Sequence, residues 1–378
     1  MIRVLHVIGA MDRGGAETMI MNLYRAIDRS LIQFDFVVHE ERACDYDAEI
    51  EALGGRIFRV PRFKGTNARA YRKAFRTFFA EHGEHPIVHG HIGSSAALYL
   101  SEARRADRFA IAHSHAQKYP VSLSEIAFRA LSYPTRYVAD YFMACSQEAG
   151  RDRFGRFVTE GPNFSILKNG IDLDLYRCDD AMHKACKKAY GYDEEIPLVG
   201  HVGRLDPVKN HRFLLQVFSG VRKELPRARL ACVGRGSLAE EIEREACELG
   251  IADAVDFFGV REDVPGLLKA FDAFVFPSFK EGLAIAVIEA QATGLPVVAS
   301  TGVPQAAMLV DSAKRMPLDA GADVWALEVV ALLREANARH DHVAEVGERG
   351  FGIGESARWL ERFYRSVVES GGGCGAIR

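Results

Sequence analysis

Three observations predict an α/β chain of two doubly wound domains. Short apolar runs alternate with longer stretches of helical period through the first 145 residues, and the same alternation restarts near residue 197 behind a charged segment. At 378 residues the chain is also long enough for two separate cores. Hydrophobic residues make up 48% and charged residues 26%, a mixture that excludes a disordered or fibrous chain. The expected division is 1–180 for the first domain, 196–353 for the second, and 354–378 for a helix that could cross back to the first domain, followed by a frayed tail.

In the first domain VLHVIG (4–9), FDFVVH (34–39), IFRV (57–60), PIVHGH (86–91), FAIAHSH (109–115) and YFMAC (141–145) read as buried parallel strands. AETMIMNLYRAI (16–27), NARAYRKAFRTFFAEHG (67–83) and SSAALYLSEARR (94–105) carry apolar residues near 3.6 spacing, which supplies the crossover helices. After the polar segment 179–195, strands read PLVGHVG (197–203), RLACVG (229–234), AVDFFG (254–259), FDAFVFP (271–277) and LPVVAS (295–300). Helices are expected at 211–225 and 238–250 between them, and at 354–371. Open sheets of this kind bind ligands beyond the carboxyl ends of their strands, so function is sought there.

Several classes fall away on charge and cysteine usage. The 48 Lys and Arg against 51 Asp and Glu give a formal charge of −3, so no global basic field points to nucleic acid. Seven cysteines without a C-x-x-C pair argue against a disulfide framework or zinc knuckle and fit reduced thiols in a cytosolic protein. The N-terminal apolar run is too short for a signal peptide, and no stretch of about 18 apolar residues occurs. Between Gly54 and Glu81 lie eight cations and no acid, interleaved with Phe63, Tyr71, Phe75, Phe78 and Phe79. Residues 56–79 could therefore rest on anionic lipid. The alternative is a solvated helix face whose aromatics pack inward.

Two loops carry the residues that suggest chemistry. Strand 197–203 runs into GRLDPVKNH, where Arg204 and Lys209 flank a turn that opens a helix. Cations beside free backbone N–H groups make an anion site suited to a diphosphate. A basic turn capped by Asp206 is the plainer reading. After strand 271–277, Glu281 and Gly282-Leu283 precede AIAVIEAQATG. There Gly282 would admit a phosphate close to the backbone, and Glu289 lies about two turns deeper. A carboxylate in so apolar a helix needs a hydrogen-bonding duty such as holding ribose hydroxyls, unless it is merely half-exposed. His89 and His91, and His113 and His115, are spaced i,i+2 and so share strand faces. A four-histidine metal site is imaginable, but no carboxylate is placed near it, and none is assigned.

GGAE (14–17), NGID (169–172), GRLDPVKN (203–210), FFGVREDV (257–264) and PSFKEGLAIAVIEAQATGLPVVAS (277–300) stand in this order over nearly the whole chain. Together they resemble the retaining GT-B glycosyltransferases of family four, and within them the EpsF-type enzymes of bacterial exopolysaccharide and capsule synthesis. The resemblance implies a GT-B fold, two Rossmann-like domains facing each other across a cleft, the second binding a nucleotide sugar. It implies that Arg204 and Lys209 hold the donor diphosphate, Glu289 the ribose, and Glu281 the donor sugar. The backbone at Gly282 and Leu283 would touch the phosphates, Val260 and Arg261 would line the base, and Gly14 and Gly15 would form the glycine loop of the first domain. His115 aligns with the family's active-site histidine, with His113 as the rival.

The donor implied is a nucleoside-diphosphate sugar, UDP favoured, with no cofactor or metal. The acceptor implied is a glycan or polyprenyl-linked saccharide met in the cytoplasm or at the inner face of the plasma membrane. Ala284 stands where a proline is frequent and Gln305 where an acid is common. Rival readings are a nucleotide-sugar epimerase of the same fold, a non-catalytic nucleotide-sugar-binding subunit, and an NAD-dependent oxidoreductase. The last is disfavoured because VGRGSLAE (233–240) lacks the third glycine of the dinucleotide fingerprint.

Overall fold

Strands form where the apolar runs are. In the computed structural model, which describes residues 1–115, 123–335 and 339–371, the first sheet contains β1 (Ile2–Val7), β2 (Ile32–Val38), β3 (Ile57–Arg59), β4 (Ile87–Gly90), β5 (Phe109–Ser114), β6 (Tyr141–Ala144) and β7 (Phe164–Ile166). Its order is β3-β2-β1-β4-β5-β6-β7, and every pairing is parallel. The second sheet contains β8 (Leu198–Val202), β9 (Arg229–Val233), β10 (Val255–Gly259), β11 (Ala273–Phe276), β12 (Val297–Ser300) and β13 (Ala313–Met316), in the order β10-β9-β8-β11-β12-β13, again all parallel. Strand order reverses between β1 and β4 in one sheet and between β8 and β11 in the other. At such a switch point successive loops turn to opposite faces and leave a crevice at the carboxyl ends.

The chain divides into two units, Met1–Gly170 with the segment from Ile353 onward, and Ile171–Gly352. The break therefore falls at Gly170 rather than near 180. The reason is packing: Ile171 and Tyr176 are buried in one core with Leu198, Phe271 and Leu283. The helix Ile353–Glu369 buries Leu360, Phe363 and Tyr364 against Ile20 and Phe34 of the first unit. Two strands, β7 and β13, had no counterpart in the sequence reading. Each is a short segment at a sheet edge, FSI and AKRM, without a fully buried residue, so neither shows an apolar run.

Four of the eight cations of the basic stretch are in ion pairs. Arg56 reaches Asp35 and Glu84, Arg59 reaches Asp47, and Arg72 and Arg76 share the buried carboxylate of Glu102. Tyr71, Phe75, Phe78 and Phe79 of the helix Ala68–Glu81 all face the core. This is the inward-packed helix face, and the aromatics are not available to a lipid surface. Among the described residues no helix is long and apolar enough to cross a membrane, and Cys44, Cys145, Cys178, Cys186, Cys232 and Cys247 are unpaired.

Two non-glycine residues of the second unit, Asn210 and Ala284, take left-handed backbone conformations, and at the alanine this is strain. Ala284, the residue before the helix Ile285–Ala292, has φ 60° and ψ 64°. Proline, whose ring fixes φ near −65°, cannot occupy that conformation, so Ala284 is not a proline site in this backbone. An L-residue in the left-handed region costs about 1–2 kcal/mol, which glycine avoids at an entropic cost of about 0.5–1 kcal/mol. Ala284→Gly is therefore expected to raise the melting temperature slightly. A lower value would mean that packing of the buried alanine methyl outweighs the strain.

Candidate functional site

In the second unit the loops after β8 and β11 are stitched together across the switch point. Asp206 caps the turn Pro207–Lys209, its Oδ1 accepting from the backbone N–H of Val208 at 3.1 Å and of Lys209 at 3.3 Å. Asn210 takes a left-handed conformation, φ 56°, and donates through Nδ2 to the Pro277 carbonyl at 3.2 Å. The Phe279 N–H donates to the Val208 carbonyl at 2.9 Å. These bonds bring Lys209 against Glu281, Nζ to Oε1 2.8 Å, with the ammonium 4.7 Å from the centre of the Phe276 ring. Both side chains are mostly buried, 17% and 12% exposed, whereas Arg204 is 70% exposed and meets Asp206 only at 3.5 Å. The crevice thus has a fixed cation paired to a carboxylate and a second cation reaching into solvent.

The loop after β12 closes the other side. The Glu281 N–H donates to the Gly302 carbonyl at 3.0 Å, and Ser300 Oγ donates to the Ser278 carbonyl. Gly282 and the buried Leu283 lead into the helix Ile285–Ala292. Glu289 in that helix is 8% exposed, not the half-exposed glutamate that was the alternative. Its Oε1 accepts from the Tyr176 hydroxyl at 2.8 Å, and burial raises its carboxyl above the usual range, against that bond. Ser278 Oγ is buried without a partner.

Val260 and Arg261 follow β10, two strands away from β8. The Arg261 guanidinium is held by Asp263 in a two-point contact, 2.8 and 2.6 Å, and those bonds hold the Asp263 carboxyl down at about 2. No contact brings Arg261 to Arg204 or Lys209. The glycines of VGRGSLAE have a packing role: a Cβ on Gly234 would meet the Gly203 carbonyl, and one on Gly236 the Leu205 carbonyl. They let the β9 loop seat the β8 loop, which explains a GxG pair without a dinucleotide. A wider cavity of about 550 Å³, lined by Tyr190, Tyr192, Arg229 and Asp256, sits by the amino ends of β9 and β10, away from this crevice.

In the first unit Gly14 precedes the helix Gly15–Ala26. A Cβ on Gly14 would meet only the flexible Glu17 carboxylate, and one on Gly15 would meet nothing within 4 Å. Neither glycine has positive φ, so the protein's own fold does not demand glycine at Gly15. At the carboxyl ends of β1, β4 and β5, His6 joins the four expected histidines. His6 Nδ1 lies 3.0 Å from His91 Nε2, and His91 Nδ1 lies 2.7 Å from His115 Nε2. His89 Nδ1 lies 2.6 Å from the Tyr364 hydroxyl, and His89 Nε2 lies 3.0 Å from His113 Nδ1. Burial pushes His115 down to about 4 and His6 to about 3, and the other three well below their ordinary value, so all five are neutral at pH 7. His91, His113 and His115 line a cavity of about 370 Å³ with Gly9 and Glu17. Two triads, His6-His89-His91 and His91-His113-His115, have nitrogens within 4.8 Å of one another.

The sequence reading missed Tyr176, Phe276, His6 and Tyr364. Of these only His6 left a signal, as the one polar residue inside the run VLHVIG.

Comparison with known proteins now gives the class. Residues 13–175 match Glycosyltransferase Family 4 and residues 196–335 match Glycosyl transferases group 1. EpsF of Bacillus subtilis (strain 168), described as a glycosyltransferase, is 35% identical over 97% of this chain and 97% of its own. The chain belongs to this glycosyltransferase family, and its two parallel-sheet units are those of the GT-B fold. A GDP-mannose-dependent α-(1-6)-phosphatidylinositol monomannoside mannosyltransferase of Mycolicibacterium smegmatis is 32% identical over 59% of this chain and 61% of its own. Among solved structures, Anabaena HepE in complex with UDP-glucose superposes with a TM-score of 0.75 at 18% identity, covering 97% of this chain and 100% of that one.

Glu289 sets a test. Because its folded carboxyl lies above the unfolded value, the folded state binds the proton more tightly. The stability it contributes is full below about 4.5 and is lost as pH rises through the raised value. Glu289→Gln keeps an acceptor for Tyr176 without a buried charge, so it should melt above the parent at about pH 8 and converge with it near about pH 4. Nucleotide affinity should fall about tenfold or more if the carboxylate holds a ligand hydroxyl. Equal melting at both pH values would show the charge already compensated.

Proposed function

We propose that the protein transfers a sugar from a nucleoside-diphosphate donor, a UDP-sugar, to a glycan or polyprenyl-linked saccharide in exopolysaccharide or capsule-type synthesis. Transfer retains the anomeric configuration and uses no metal or cofactor. The observation that carries the reading is the β8/β11 switch point, where Lys209 is paired to Glu281, Arg204 is exposed in the same loop, and the chain after Glu281 runs into the helix that buries Glu289. Lys209 and Arg204 take the diphosphate and stabilise it as it leaves, which is where negative charge develops. The backbone at Gly282 and Leu283 approaches the phosphates, Glu289 holds the ribose, Glu281 faces the donor sugar, and Val260-Arg261 flank the base. Gly14, Gly15 and His115 are the contribution of the first unit.

No carboxylate is assigned as a nucleophile, so a double displacement has no candidate. Retention is assigned to same-face substitution, in which the departing phosphate takes the acceptor proton. UDP is favoured by the likeness to HepE, solved with UDP-glucose, and by an Escherichia coli UDP-Gal:α-D-GlcNAc-diphosphoundecaprenol α-1,3-galactosyltransferase, 30% identical over 36% of each chain. That relative also favours a lipid-linked acceptor. The full-length likeness to EpsF favours exopolysaccharide synthesis.

Thermal stabilisation by UDP, GDP, ADP, NAD and their sugar conjugates, with and without chelator, tests this reading. Only a ligand bound by the native state raises the melting point, by about 2.7 kcal/mol of stability at a hundred times Kd. UDP and UDP-sugars should stabilise equally with chelator present, and Lys209→Ala should abolish most of the shift, since a charged hydrogen bond is worth about 1.5–3 kcal/mol. A shift with GDP alone would move the donor class. No shift with any nucleotide would overturn the reading, and isomerised free nucleotide sugar would mark an epimerase.

A further inference from the structure

The charged stretch 179–195, which carries no strand, folds into the helix Asp180–Ala189 and delivers Tyr190 to the loop after β10. The Tyr190 hydroxyl donates to Asp263 Oδ2 at 2.9 Å. The same carboxylate accepts from Nε and Nη2 of Arg261, so it ties the guanidinium to a residue 73 positions earlier in the chain. The Tyr190 ring is itself fixed, edge-on to Phe258 of β10 with centroids 6.4 Å apart. Burial and then the Asp263 contact push the Tyr190 hydroxyl up to about 12, while the bonds from Arg261 hold Asp263 down at about 2. Hydroxyl, carboxylate and guanidinium therefore keep one protonation state through neutral pH.

The helix Val264–Ala270 gives way to this arrangement at two positions. Asp263 is its N-cap, where an aspartate ordinarily accepts from free N–H groups of the first turn, yet the carboxylate makes no capping bond. It is turned to Arg261 and Tyr190 instead. Gly266 lies inside the helix, where glycine is a poor helix former. A Cβ there would stand 2.5 Å from the Tyr190 hydroxyl oxygen but 3.5 Å from the Cζ behind it. Only the hydroxyl excludes a side chain. Neither choice serves the helix, and both serve the hold on Arg261.

A guanidinium has five N–H groups and no acceptor; Asp263 takes two, and the three that remain can only donate. Their partner must present acceptors. Loops after parallel strands leave the same end of a sheet, and β10 stands two strands from β8, about 10 Å away. That separation suits a nucleoside reaching from a diphosphate to its base. Uracil presents carbonyl oxygens at its edge, whereas adenine presents an amino group, itself a donor.

We propose that Tyr190, Asp263 and Gly266 are positioning residues that fix the Arg261 guanidinium as a preset donor to carbonyl oxygens of a nucleobase, and so favour uracil over adenine. That Arg261 faces the base rests on the transferase reading above; that Tyr190 holds it through Asp263 does not.

The hold is tested by 15N NMR of arginine Nε–H groups, with the Arg261 signal assigned by its loss in Arg261→Lys. Expected is a slowly exchanging Nε–H in the parent that exchanges about three- to tenfold faster in Tyr190→Phe and in Gly266→Ala, the loss of one hydrogen bond. In the Tyr190→Phe background a Cβ at 266 has only Cζ to meet, so Gly266→Ala should add nothing there. Equal exchange in parent and single variants, or additive effects in the double variant, overturns the hold.

The base-facing part is tested by calorimetry with UDP and ADP. Tyr190→Phe should weaken UDP about three- to tenfold and ADP less than about twofold, because only the base contact changes. Equal loss for the two nucleotides, or none for UDP, overturns the assignment to the base. If neither nucleotide binds the parent but the Arg261 signal behaves as stated, the transferase reading fails and the hold on Arg261 stands.

Discussion

The loops at the β8/β11 switch point of the second unit depend on the ion pair between Lys209 and Glu281. At a switch point the loops after β8 and β11 diverge to opposite faces, so something other than the sheet must hold the crevice walls in register. The bonds from the Asn210 side-chain amide and the Phe279 backbone N–H bring the loops together, and the pair fixes what faces the crevice. It also settles the electrostatics. Glu281 neutralises Lys209 in a mostly dry setting, where an unpaired charge of either sign would be unfavourable. Under the proposed function, a diphosphate would meet an ammonium already fixed in place and the mostly exposed guanidinium of Arg204. Preorganisation of this kind leaves little reorganisation for the moment of reaction.

Around that pair the protein departs from what stability alone would select. Within a dozen residues lie a buried hydroxyl without a partner at Ser278, a left-handed alanine at Ala284 and a buried carboxylate at Glu289. Each is unfavourable in the ligand-free protein, and none is needed to hold the sheet. Local rules broken together in one loop and the helix after it mark a place where the chain is arranged for something it binds. The first unit does the same in another way, gathering five neutral imidazoles, of which His6, His89 and His113 are buried and His91 and His115 partly exposed.

Much of this was legible in the sequence. Apolar runs located every interior strand because a parallel strand covered on both faces is mostly apolar. They failed for β7 and β13, whose edge positions leave their residues partly exposed. The loop residues proposed to bind through backbone or charge stood out because glycine, lysine and glutamate in those surroundings need a reason. Their partners did not. Tyr176 lies 113 positions from Glu289, and Tyr364 lies 275 from His89, and no local pattern encodes such pairings. The i,i+2 spacing revealed histidines sharing a face, but that His6 stands beside His89 follows only from the register of β1 on β4. The resemblance implied only that Val260 and Arg261 line the base; that Asp263, two residues on, holds the Arg261 guanidinium was open to a reading of the sequence and was not weighed.

Hydrogen–deuterium exchange of the protein with and without UDP tests the central claim, that the β8/β11 switch point of the second unit is the nucleotide site. Slowed exchange is predicted in residues 203–210 and 277–292, the two loops and the helix that follows. Protection confined to the cavity near Tyr190 and Asp256, or none in either loop while UDP is bound, would contradict it.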